Sequence, residues 1–462
     1  MAIMTTLPPE NSGGVSYRYS SFVYIVSAIV AFGGLLFGFD LVIISGTVSF
    51  FSRFFQLDAG MTGWAVGCIN IGAALGAIIS GKLSDVVGRK KLLLICAFLF
   101  AVTGFATGWA TDFTFFVCAR ILSGVAIGVA ALICPIYIAE IAPGPIRGRL
   151  VAFYQLAIVA GLLMAYLSNY LLLNTGINNW RWMFSAQSAP AILFFTGLFF
   201  LPESPRWLIK QNRIEKALEV LQKMGGKAYA VAEMDAIIQS FNQLFRSSVR
   251  DLFKPGIAGI IFVGIAVAVF SQADGQNSLF CYAPVIFKQA GAPDNSAFLQ
   301  AVVLGAVNFL CTFIAIHYID RAGRRKLLLY GSMLLCLDAS ALAACFYSSA
   351  PGYMTLVFVL GFIGIYAATL GPVTWVLLSE IFPNRVRGYA MGLATLSLWI
   401  ADFFTTASFP LLKKEFGLPV TFLIHALICL IYFLFVKLRV PETKGRTLEE
   451  IENQLTRTSP ET

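Results

Sequence analysis

The stretch Glu140-Ile-Ala-Pro-Gly-Pro-Ile-Arg147-Gly148 occurs a second time as Glu380-Ile-Phe-Pro-Asn-Arg-Val-Arg387-Gly388, with the same separation at the Glu and at the Arg. Another motif repeats in the same order: Asp85-Val-Val-Gly88-Arg89-Lys90 returns as Asp320-Arg-Ala-Gly323-Arg324-Arg325. Two distinct motifs that recur at long range indicate a duplicated architecture. The sequence therefore predicts two equivalent halves.

Apolar segments long enough to cross a bilayer make up most of the chain. The residues are 58% hydrophobic and 12% charged, whereas a soluble domain carries about 25% charged residues. About 20 helical residues span roughly 30 Å of hydrocarbon, and a β-barrel would show short alternating segments instead. We expect an all-α membrane protein with twelve transmembrane helices. The predicted spans are 22–50, 61–80, 92–111, 113–138, 150–173, 183–201, 256–287, 297–318, 327–348, 353–379, 390–412 and 418–437.

One long polar stretch, residues 202–255, divides the spans into six and six. We interpret it as a cytoplasmic linker with short amphipathic helices, such as 213–224. It separates an N-terminal six-helix bundle (1–201) from a C-terminal six-helix bundle (256–440), and a cytoplasmic tail (441–462) follows. Since six is even, both halves enter the membrane from the same side, and two such halves can rock about a midplane site.

The net charge of +9 is distributed as membrane topology requires, so it does not indicate a nucleic-acid-binding patch. Lys and Arg residues concentrate in the predicted cytoplasmic segments, which is the positive-inside pattern. We expect a multi-pass protein of a bacterial inner membrane with both termini cytoplasmic. Arg120 lies inside a predicted span. The basic residues assigned to outer loops are Arg53, Arg181, Lys288, Lys413 and Lys414.

Several further motifs resemble signatures of the sugar porter family of the major facilitator superfamily, and with the two repeated motifs they cover nearly the whole chain in order. The resemblance implies two pseudo-symmetric six-helix bundles that move monosaccharides, polyols or similar solutes, by facilitated diffusion or by proton symport. The motifs are Gly33-Gly-Leu-Leu-Phe-Gly38-Phe-Asp40, Pro135-x-Tyr137-x-x-Glu140, Pro202-Glu-Ser-Pro-Arg206-Trp, Gly371-Pro-x-x-Trp375 and Pro441-Glu-Thr-Lys-Gly445.

Asp40 lies well inside the first predicted span, where an ionised carboxylate is costly unless it is paired or hydrated. The resemblance makes Asp40 the proton carrier of a symporter and Arg120 its partner. Family uniporters commonly lack this aspartate, so its presence favours symport. A static ion pair that packs two helices is the alternative interpretation.

The repeated charged motifs predict a cytoplasmic latch between the halves. We expect its acids to reach its arginines only when the inner ends of the two halves close, because such pairs form bistable elements. Arginine suits this role through its planar, bidentate fork. Static topogenic charge near the headgroups is the alternative. The predicted latch residues are Asp85, Arg89, Glu140, Arg147, Glu203, Arg206, Asp320, Arg324, Glu380, Arg387 and Glu442.

A sugar presents hydroxyls around an apolar face, so amides and aromatic rings in a midplane cavity are the expected binding groups. The family's contact positions fall, by resemblance, on residues of five different spans. A buried amide that merely bonds a neighbouring helix is the alternative for each of them. The predicted solute contacts are Gln155, Gln272, Asn277, Tyr282, Asn308, Trp375 and Trp399, to which we add Asp274.

Four positions depart from the family pattern and put a glucose-like or xylose-like solute in doubt. Ser271 and Leu398 stand where amides are usual, and Asp274 and Asp402 are added acids. The acids either contact the solute, which favours a polyol, an amino sugar or a cationic molecule, or they line water-filled paths and tune coupling. We favour contact for Asp274, because Gly275 beside it should loosen the helix.

Other functions are less well supported by the sequence. No metal-spaced His/Cys cluster, nucleophile elbow or phosphate loop is present, so we expect neither an enzyme nor a cofactor. A nutrient sensor of this type usually has a long cytoplasmic tail. Passive uniport and antiport stay open beside symport. The expected partners are the lipid bilayer, a small solute and protons, with no nucleic acid and no obligate protein partner.

Overall fold

The computed structural model describes residues 20–242, Leu252, 257–383 and 386–444. Predicted linker residues 243–251 and 253–255 and the tail residues 445–462 lie outside this description. Regular structure within the described ranges is helical. Short 3-10 turns occupy Ile44–Gly46 and Gly144–Ile146. The α-helices are α1 (Ser21–Ile43), α2 (Val48–Phe54), α3 (Ala59–Val87), α4 (Arg89–Gly108), α5 (Phe113–Ile141), α6 (Arg147–Leu172), α7 (Asn179–Ala186), α8 (Ser188–Phe199), α9 (Pro205–Lys210), α10 (Ile214–Asn242), α11 (Ile257–Ala273), α12 (Gln276–Gln289), α13 (Asp294–Ala322), α14 (Arg324–Tyr347), α15 (Gly352–Ala368), α16 (Leu370–Ile381) and α17 (Arg387–Arg439).

Eleven helical segments of the described chain are long and apolar enough to cross a membrane. The last of them, α17, has 53 residues and would measure about 80 Å as one straight helix. Its backbone leaves the helical conformation at Gly417 (φ 75°, ψ 168°), which divides it into two crossings. The prediction of twelve transmembrane helices is thereby confirmed.

The seventh transmembrane segment is broken in the middle. α11 ends at Ala273 and α12 begins at Gln276, with Gly275 in the left-handed conformation (φ 96°). The Asp274 carboxylate accepts a hydrogen bond from the backbone N–H of Gln276 at 3.0 Å, so it satisfies a donor that the break exposes. The predicted loosening at Gly275 is therefore a complete interruption of the helix.

The linker begins with two helices that pack beneath the N-terminal half. α9 starts at Pro205, a residue suited to the first helical turn, and the Ser204 side chain caps it by accepting from the N–H of Trp207. α10 covers residues 214–224 of the predicted amphipathic segment 213–224. Its Met224 carbonyl accepts a hydrogen bond from the N–H of Ser20. The linker is thus tied to the start of α1.

The two halves meet at one end of the molecule. We call the end that carries Arg89 and Arg324 the charged end, and the other the opposite end. Helix α3 packs on α17 and α6 packs on α13. The hydrogen bonds that the described residues make across this boundary lie toward the opposite end. They join Asn70 to Thr406, Tyr166 to the Phe280 carbonyl, Asn174 to Asn295, and the Cys281 thiol to the Leu41 carbonyl.

We predict that Gly63→Trp forces the opposite ends apart. A Cβ atom on Gly63 would meet the Ala407 backbone oxygen across the boundary, and over-packing of this kind costs about 1–3 kcal/mol. Spin labels at Asn174 and Asn295, with the exposed Cys118 replaced by Ser, should report a longer distance in the Gly63→Trp protein.

Gly81→Trp is the matched control, because Gly81 lies on the same helix and has open space around its Cβ position. It should leave the label distance unchanged. An unchanged distance in the Gly63→Trp protein would contradict the proposed contact between the opposite ends.

Candidate functional site

A cluster of charged side chains closes the charged end of the N-terminal half. Arg89 pairs bidentately with Glu140, through Nε to Oε2 at 3.2 Å and Nη2 to Oε1 at 3.1 Å. The third arm of the guanidinium reaches Asp85 Oδ1 at 3.2 Å. Ser204 donates its hydroxyl to Glu140. Each of these groups contacts Arg89 or its acidic partner, so together they join α3, α4, α5 and the start of the linker.

Glu203 caps the N-terminus of α4. Its carboxylate accepts from the backbone N–H groups of Arg89 at 2.9 Å and Lys90 at 3.2 Å, where the helix dipole favours negative charge. Burial raises the pKa of Glu203, and these N–H bonds oppose that rise. The Pro202-Glu-Ser motif thus supplies one side chain to the helix end and one to the Arg89 cluster.

The C-terminal half repeats this arrangement at the arginine, the two glutamates and the hydroxyl group. Arg324 Nη2 donates to Glu380 Oε1 at 2.9 Å, and the Arg324 N–H donates to Glu442 at 3.0 Å. Thr443 takes the place of Ser204, with its hydroxyl 2.6 Å from Glu380 Oε2. The side chain of Asp320 lies outside the described part of the structure. The duplicated sequence therefore builds a duplicated cluster.

The glycine of each repeated loop is required by conformation and by space. Gly88 has φ 99° and Gly323 has φ 90°, values that side-chain-bearing residues rarely adopt. A Cβ atom at either position would also meet the carboxylate of Glu203 or of Glu442, respectively. The motif glycine thus lets an acid approach the following helix end.

The expected latch geometry is corrected by these contacts. Glu140 and Arg89 both belong to the N-terminal half, and Glu380 and Arg324 both belong to the C-terminal half. Both pairs therefore form inside a single half, and they do not need the charged ends of the two halves to close. The physical reason is that each acid lies within its own bundle, next to the loop that carries the arginine.

Three more predicted latch arginines lie close to these clusters. Arg147 Nε donates to the Ala142 carbonyl at 3.4 Å, and Arg387 Nε donates to the Phe382 carbonyl at 3.3 Å. Both therefore contact the carbonyl end of the preceding transmembrane helix, where positive charge is favourable. Arg206 is half-buried on α9.

A buried ion pair lies inside the N-terminal half. Arg120 Nη1 is 2.6 Å from Asp40 Oδ1, and both side chains are 1% exposed. The second carboxylate oxygen accepts from Ser123 and, at 3.2 Å, from Gln187 Nε2. The guanidinium also lies over the Phe184 ring at 5.7 Å. Helices α1, α5 and α7 and the junction between α7 and α8 thus converge on one buried carboxylate.

The amides expected to bind a solute form a bonded group beside the break in the seventh span. Asn277 Nδ2 donates to Gln272 Oε1 at 2.8 Å, and Gln276 Nε2 donates to the same oxygen at 3.3 Å. Gln272 and Asn277 are 7% and 5% exposed. The left-handed turn at Gly275 brings the amides of α11 and α12 together.

The remaining predicted contacts differ in what they do in this conformation. Trp399 is buried, its indole N–H has no hydrogen-bond partner, and its ring packs against Phe37 of the other half at 5.8 Å. It also lines an apolar cleft between α3 and α17. Tyr282, by contrast, donates to the Thr406 carbonyl at 3.1 Å and stacks on Phe409. It joins α12 to α17, and its hydroxyl is already in use.

Three other predicted contacts lie on separate helices. Asn308 is buried on α13, Gln155 is half-buried on α6, and Trp375 is 38% exposed on α16. No hydrogen bond within the described residues joins their side chains to Gln272 or Asn277. The structure therefore brings together the amides of the seventh span and leaves the other contacts to be completed by a ligand or by another conformation.

Two acids lie behind the amides. Asp274 forms the helix break described above, and Asp402 lies on α17, near Trp399. Both are 0% exposed, and neither forms an ion pair in the described part of the chain. The added acids of this sequence thus border the amide group.

Comparison with known proteins identifies the family. The profile of the family described as "Sugar (and other) transporter" matches residues 26–455. The chain belongs to this sugar transporter family. The arabinose-proton symporter of Bacillus subtilis is 37% identical over 438 residues, which cover 93% of this chain and 94% of that protein. The D-xylose-proton symporter of Escherichia coli is 35% identical over 471 residues, which cover 94% and 96%.

Solved structures of this family agree with the fold. The inward open conformation of the E. coli xylose transporter XylE matches with a TM-score of 0.84 at 33% identity, covering 94% of this chain and 99% of that one. XylE bound to 6-bromo-6-deoxy-D-glucose matches with a TM-score of 0.79 at 34% identity, with the same coverage. The closer match to the inward open form agrees with halves that meet only at the opposite end.

Sequence reasoning missed several side chains that the structure places in these clusters. Ser123 and Gln187 hold Asp40, and Ser204 and Thr443 hold the paired glutamates. Ser123 lies one helical turn after Arg120, a spacing that places both on one helix face. That spacing could have indicated its role, whereas the role of Gln187 depends on how α7 and α8 pack.

We predict that Gly323→Ala destabilises the protein. The substitution places a Cβ atom 2.7 Å from the Glu442 carboxylate at a backbone conformation that costs a non-glycine residue about 1–3 kcal/mol. Thermal unfolding of the purified protein in detergent should therefore begin at a lower temperature.

Gly392→Ala on α17 is the control, since its Cβ position has open space and alanine favours a helix. It should unfold at or above the wild-type temperature. Equal unfolding temperatures for both variants would show that the Gly323 conformation is not needed.

Proposed function

We propose that the protein is a secondary active transporter that carries a monosaccharide or related polar solute together with a proton, by alternating access. The observation that supports this best is the Asp40–Arg120 pair, buried in the interior of a membrane-spanning bundle. Relatives at 35–37% identity are named as proton symporters of arabinose and xylose. The amides at the family's sugar-binding positions in the other half also support transport, because an ion pair that only packs two helices does not account for them.

Asp40 is the proposed proton carrier and Arg120 its counterion. In the present conformation Arg120 pairs with the carboxylate, and we assign this conformation to the stage of the cycle after the proton has left. A movement that withdraws Arg120 leaves an unpaired acid in a medium of low dielectric, which then takes up a proton. Ser123 and Gln187 keep the carboxylate in place during this cycle.

The solute is proposed to bind between the halves. Gln272 and Asn277 offer hydrogen-bond donors and acceptors to its hydroxyls, and the free indole N–H of Trp399 offers another donor. Gln155 on α6 faces this group from the N-terminal half, and Asn308 and Trp375 complete the site from the C-terminal half. Tyr282 holds α12 against α17 through its hydrogen bond to the Thr406 carbonyl. A direct contact between Tyr282 and the solute therefore requires this hydrogen bond to break. Asp274 borders this site.

Alternating access is proposed to move each half as a unit. The Arg89–Glu140 and Arg324–Glu380 clusters hold the charged end of each half together, so the halves can separate there without losing internal packing. The contacts that must break in the other state are those at the opposite end. The latch is thus proposed to act when the two preformed clusters approach each other.

The charged end is proposed to face the cytoplasm of a bacterium, with the protein in the inner membrane and both termini inside. The positive-inside pattern supports this orientation, and the bacterial relatives support this membrane. The present conformation is then open to the cytoplasm.

We predict that Asp40→Asn lowers uphill solute accumulation by about tenfold for a gradient of one pH unit and preserves exchange. The amide keeps the shape of the carboxylate but cannot exchange a proton, so the proton that Asp40 carries no longer drives the solute. Accumulation should be measured in proteoliposomes across which a pH gradient is imposed. Exchange should be measured separately as solute counterflow without a gradient. The solutes for both assays are D-xylose, L-arabinose, D-glucose and myo-inositol.

Asp294→Asn is the control, because its carboxylate is exposed and pairs with Lys288 at the protein surface. It should accumulate solute like the wild type. If Asp40→Asn accumulates solute to the wild-type level, proton coupling through Asp40 is wrong.

We also predict that Gln272→Ala and Asn277→Ala weaken solute binding. Each lost hydrogen bond to a neutral group removes about 0.5–1.5 kcal/mol, and the unpaired hydroxyl adds to the loss. The solute Kd, measured by calorimetry or by competition in counterflow, should therefore rise by about tenfold in each variant.

Gln300→Ala is the matched amide control, since Gln300 bonds Ser296 on α13, near the opposite end. It should leave the Kd unchanged. Wild-type affinity in both Gln272→Ala and Asn277→Ala would remove the proposed solute site.

A further inference from the structure

The C-terminal half contains a buried acidic centre that lacks the partners found around Asp40. Asp402 is 0% exposed, and neither of its carboxylate oxygens has a hydrogen-bond partner. Asp274 is equally buried, and its Oδ2 atom is also without a partner. The Nε2 atom of His425 is a third unpartnered polar atom in this region. Several orphaned atoms in one interior indicate a site that something else completes.

These groups are brought together by the break at Gly275. The His425 ring lies against Gly275, and its Nδ1 atom is 3.4 Å from the Ala273 carbonyl. Asp274 interacts electrostatically with Asp402. α12 is fixed to the helix that carries Asp402 by Ser278, whose hydroxyl donates to the Thr405 carbonyl at 3.1 Å. The centre therefore spans three transmembrane segments.

No cation balances these acids in the described part of the chain. Neither Asp274 nor Asp402 forms an ion pair there, whereas Asp40 has Arg120. The titratable groups that interact electrostatically with one or both of the two acids come from three helices and are Cys281, Tyr366, Cys429 and Tyr432. His425 is the one basic group beside them, and its Nδ1 atom is within reach only of a backbone carbonyl. An ionised carboxylate in such surroundings is costly.

We propose that Asp402 and Asp274 share a second transported proton, so that each solute moves with two protons instead of one. A hydronium ion on the side to which the pocket is open transfers its proton to Asp402. This forms a neutral carboxylic acid and a water molecule, and the reverse transfer to water occurs on the other side. This inference rests on the proposed function of proton-coupled transport.

The Asn277 amide links this centre to the solute. Its side chain lies beside Asp402, but it donates to Gln272 Oε1 at 2.8 Å and leaves both Asp402 oxygens unpaired. A solute hydroxyl that engages Gln272 and Asn277 holds this amide away from Asp402, so Asp402 keeps its proton while the solute is bound. When the solute leaves, the Asn277 N–H groups can turn to Asp402 and solvate its charged form, and the proton is released. Solute and proton binding are coupled through one amide.

A proton fits the centre better than a cationic solute does. Both acids are completely enclosed, so an ammonium group in the pocket would have to displace the Asn277 and Gln272 amides to touch them. A proton can reach them along a transient chain of hydrogen-bonded groups, without displacing either amide. The acids are close enough to the amides for solute binding to change their hydrogen bonding. They are too enclosed to contact the solute themselves.

The test is the dependence of accumulation on the pH gradient, in proteoliposomes with the membrane potential held at zero. At equilibrium each co-transported proton contributes about tenfold accumulation per pH unit, so the wild type should reach about 100-fold. Asp402→Asn, which restores the amide usual in the family, should fall to about tenfold. Asp274→Asn should give the same fall, because either change removes the shared proton.

Counterflow separates failure of this inference from failure of the proposed function. Variants that retain counterflow are folded and carry solute. We call the increase in the logarithm of accumulation per unit of the pH gradient the slope. Equal slopes for a counterflow-competent Asp402→Asn protein and for the wild type overturn the second proton. A wild-type slope of one proton overturns it whatever the variants do, while coupling through Asp40 stands. If Asp402→Asn loses D-glucosamine transport but keeps the wild-type slope for a neutral sugar, the acids bind a cationic solute and the inference is wrong. Absence of any wild-type accumulation overturns the proposed function as well.

Discussion

Lipid supplies no hydrogen-bond partner, so every polar group inside this bundle must be satisfied by the protein itself. The helices meet this requirement for the backbone. The buried polar side chains differ in how well this requirement is met. Asp40 has a cation and two neutral donors, while neither oxygen of Asp402 has a hydrogen-bond partner among the described residues. A transporter uses this difference, because a group that is satisfied in only one conformation biases the equilibrium between two.

The charged clusters solve the same problem at the membrane surface. A helix that starts at the interface exposes N–H groups, and in each half an acid from the loop after the sixth span accepts them. Glu203 does this for α4 and Glu442 for α14. The guanidinium that follows then pairs with an acid of the fourth or tenth span. Each bundle is thereby closed on itself at one end, which leaves it free to move as a unit about its contacts at the other end.

Much of this could be predicted from the sequence, because hydropathy and repetition are local properties. The spans, the two halves and the positions of the repeated motifs require only the order of residues. The partner of Arg89 could not be predicted in this way, because the sequence offers acids in both halves. Only the packing of α3 against α5 shows that Glu140 lies in the same bundle as Arg89. The same is true of Tyr282, whose residue type fits a solute contact but whose hydroxyl the Thr406 carbonyl occupies.

The departures from the family pattern were visible in the sequence, but their meaning depends on what lies around them. An aspartate in a span can pair, contact solute or hold a proton, and these cases differ only in the atoms within about 3 Å of its oxygens. Asp274 uses one oxygen to cap a broken helix, which ties its position to the break that also presents Gln272 and Asn277. The break therefore places the acids and the amides in one unit. Any movement of α12 that admits a solute must change the surroundings of Asp402 at the same time, and this geometric link is what coupling requires.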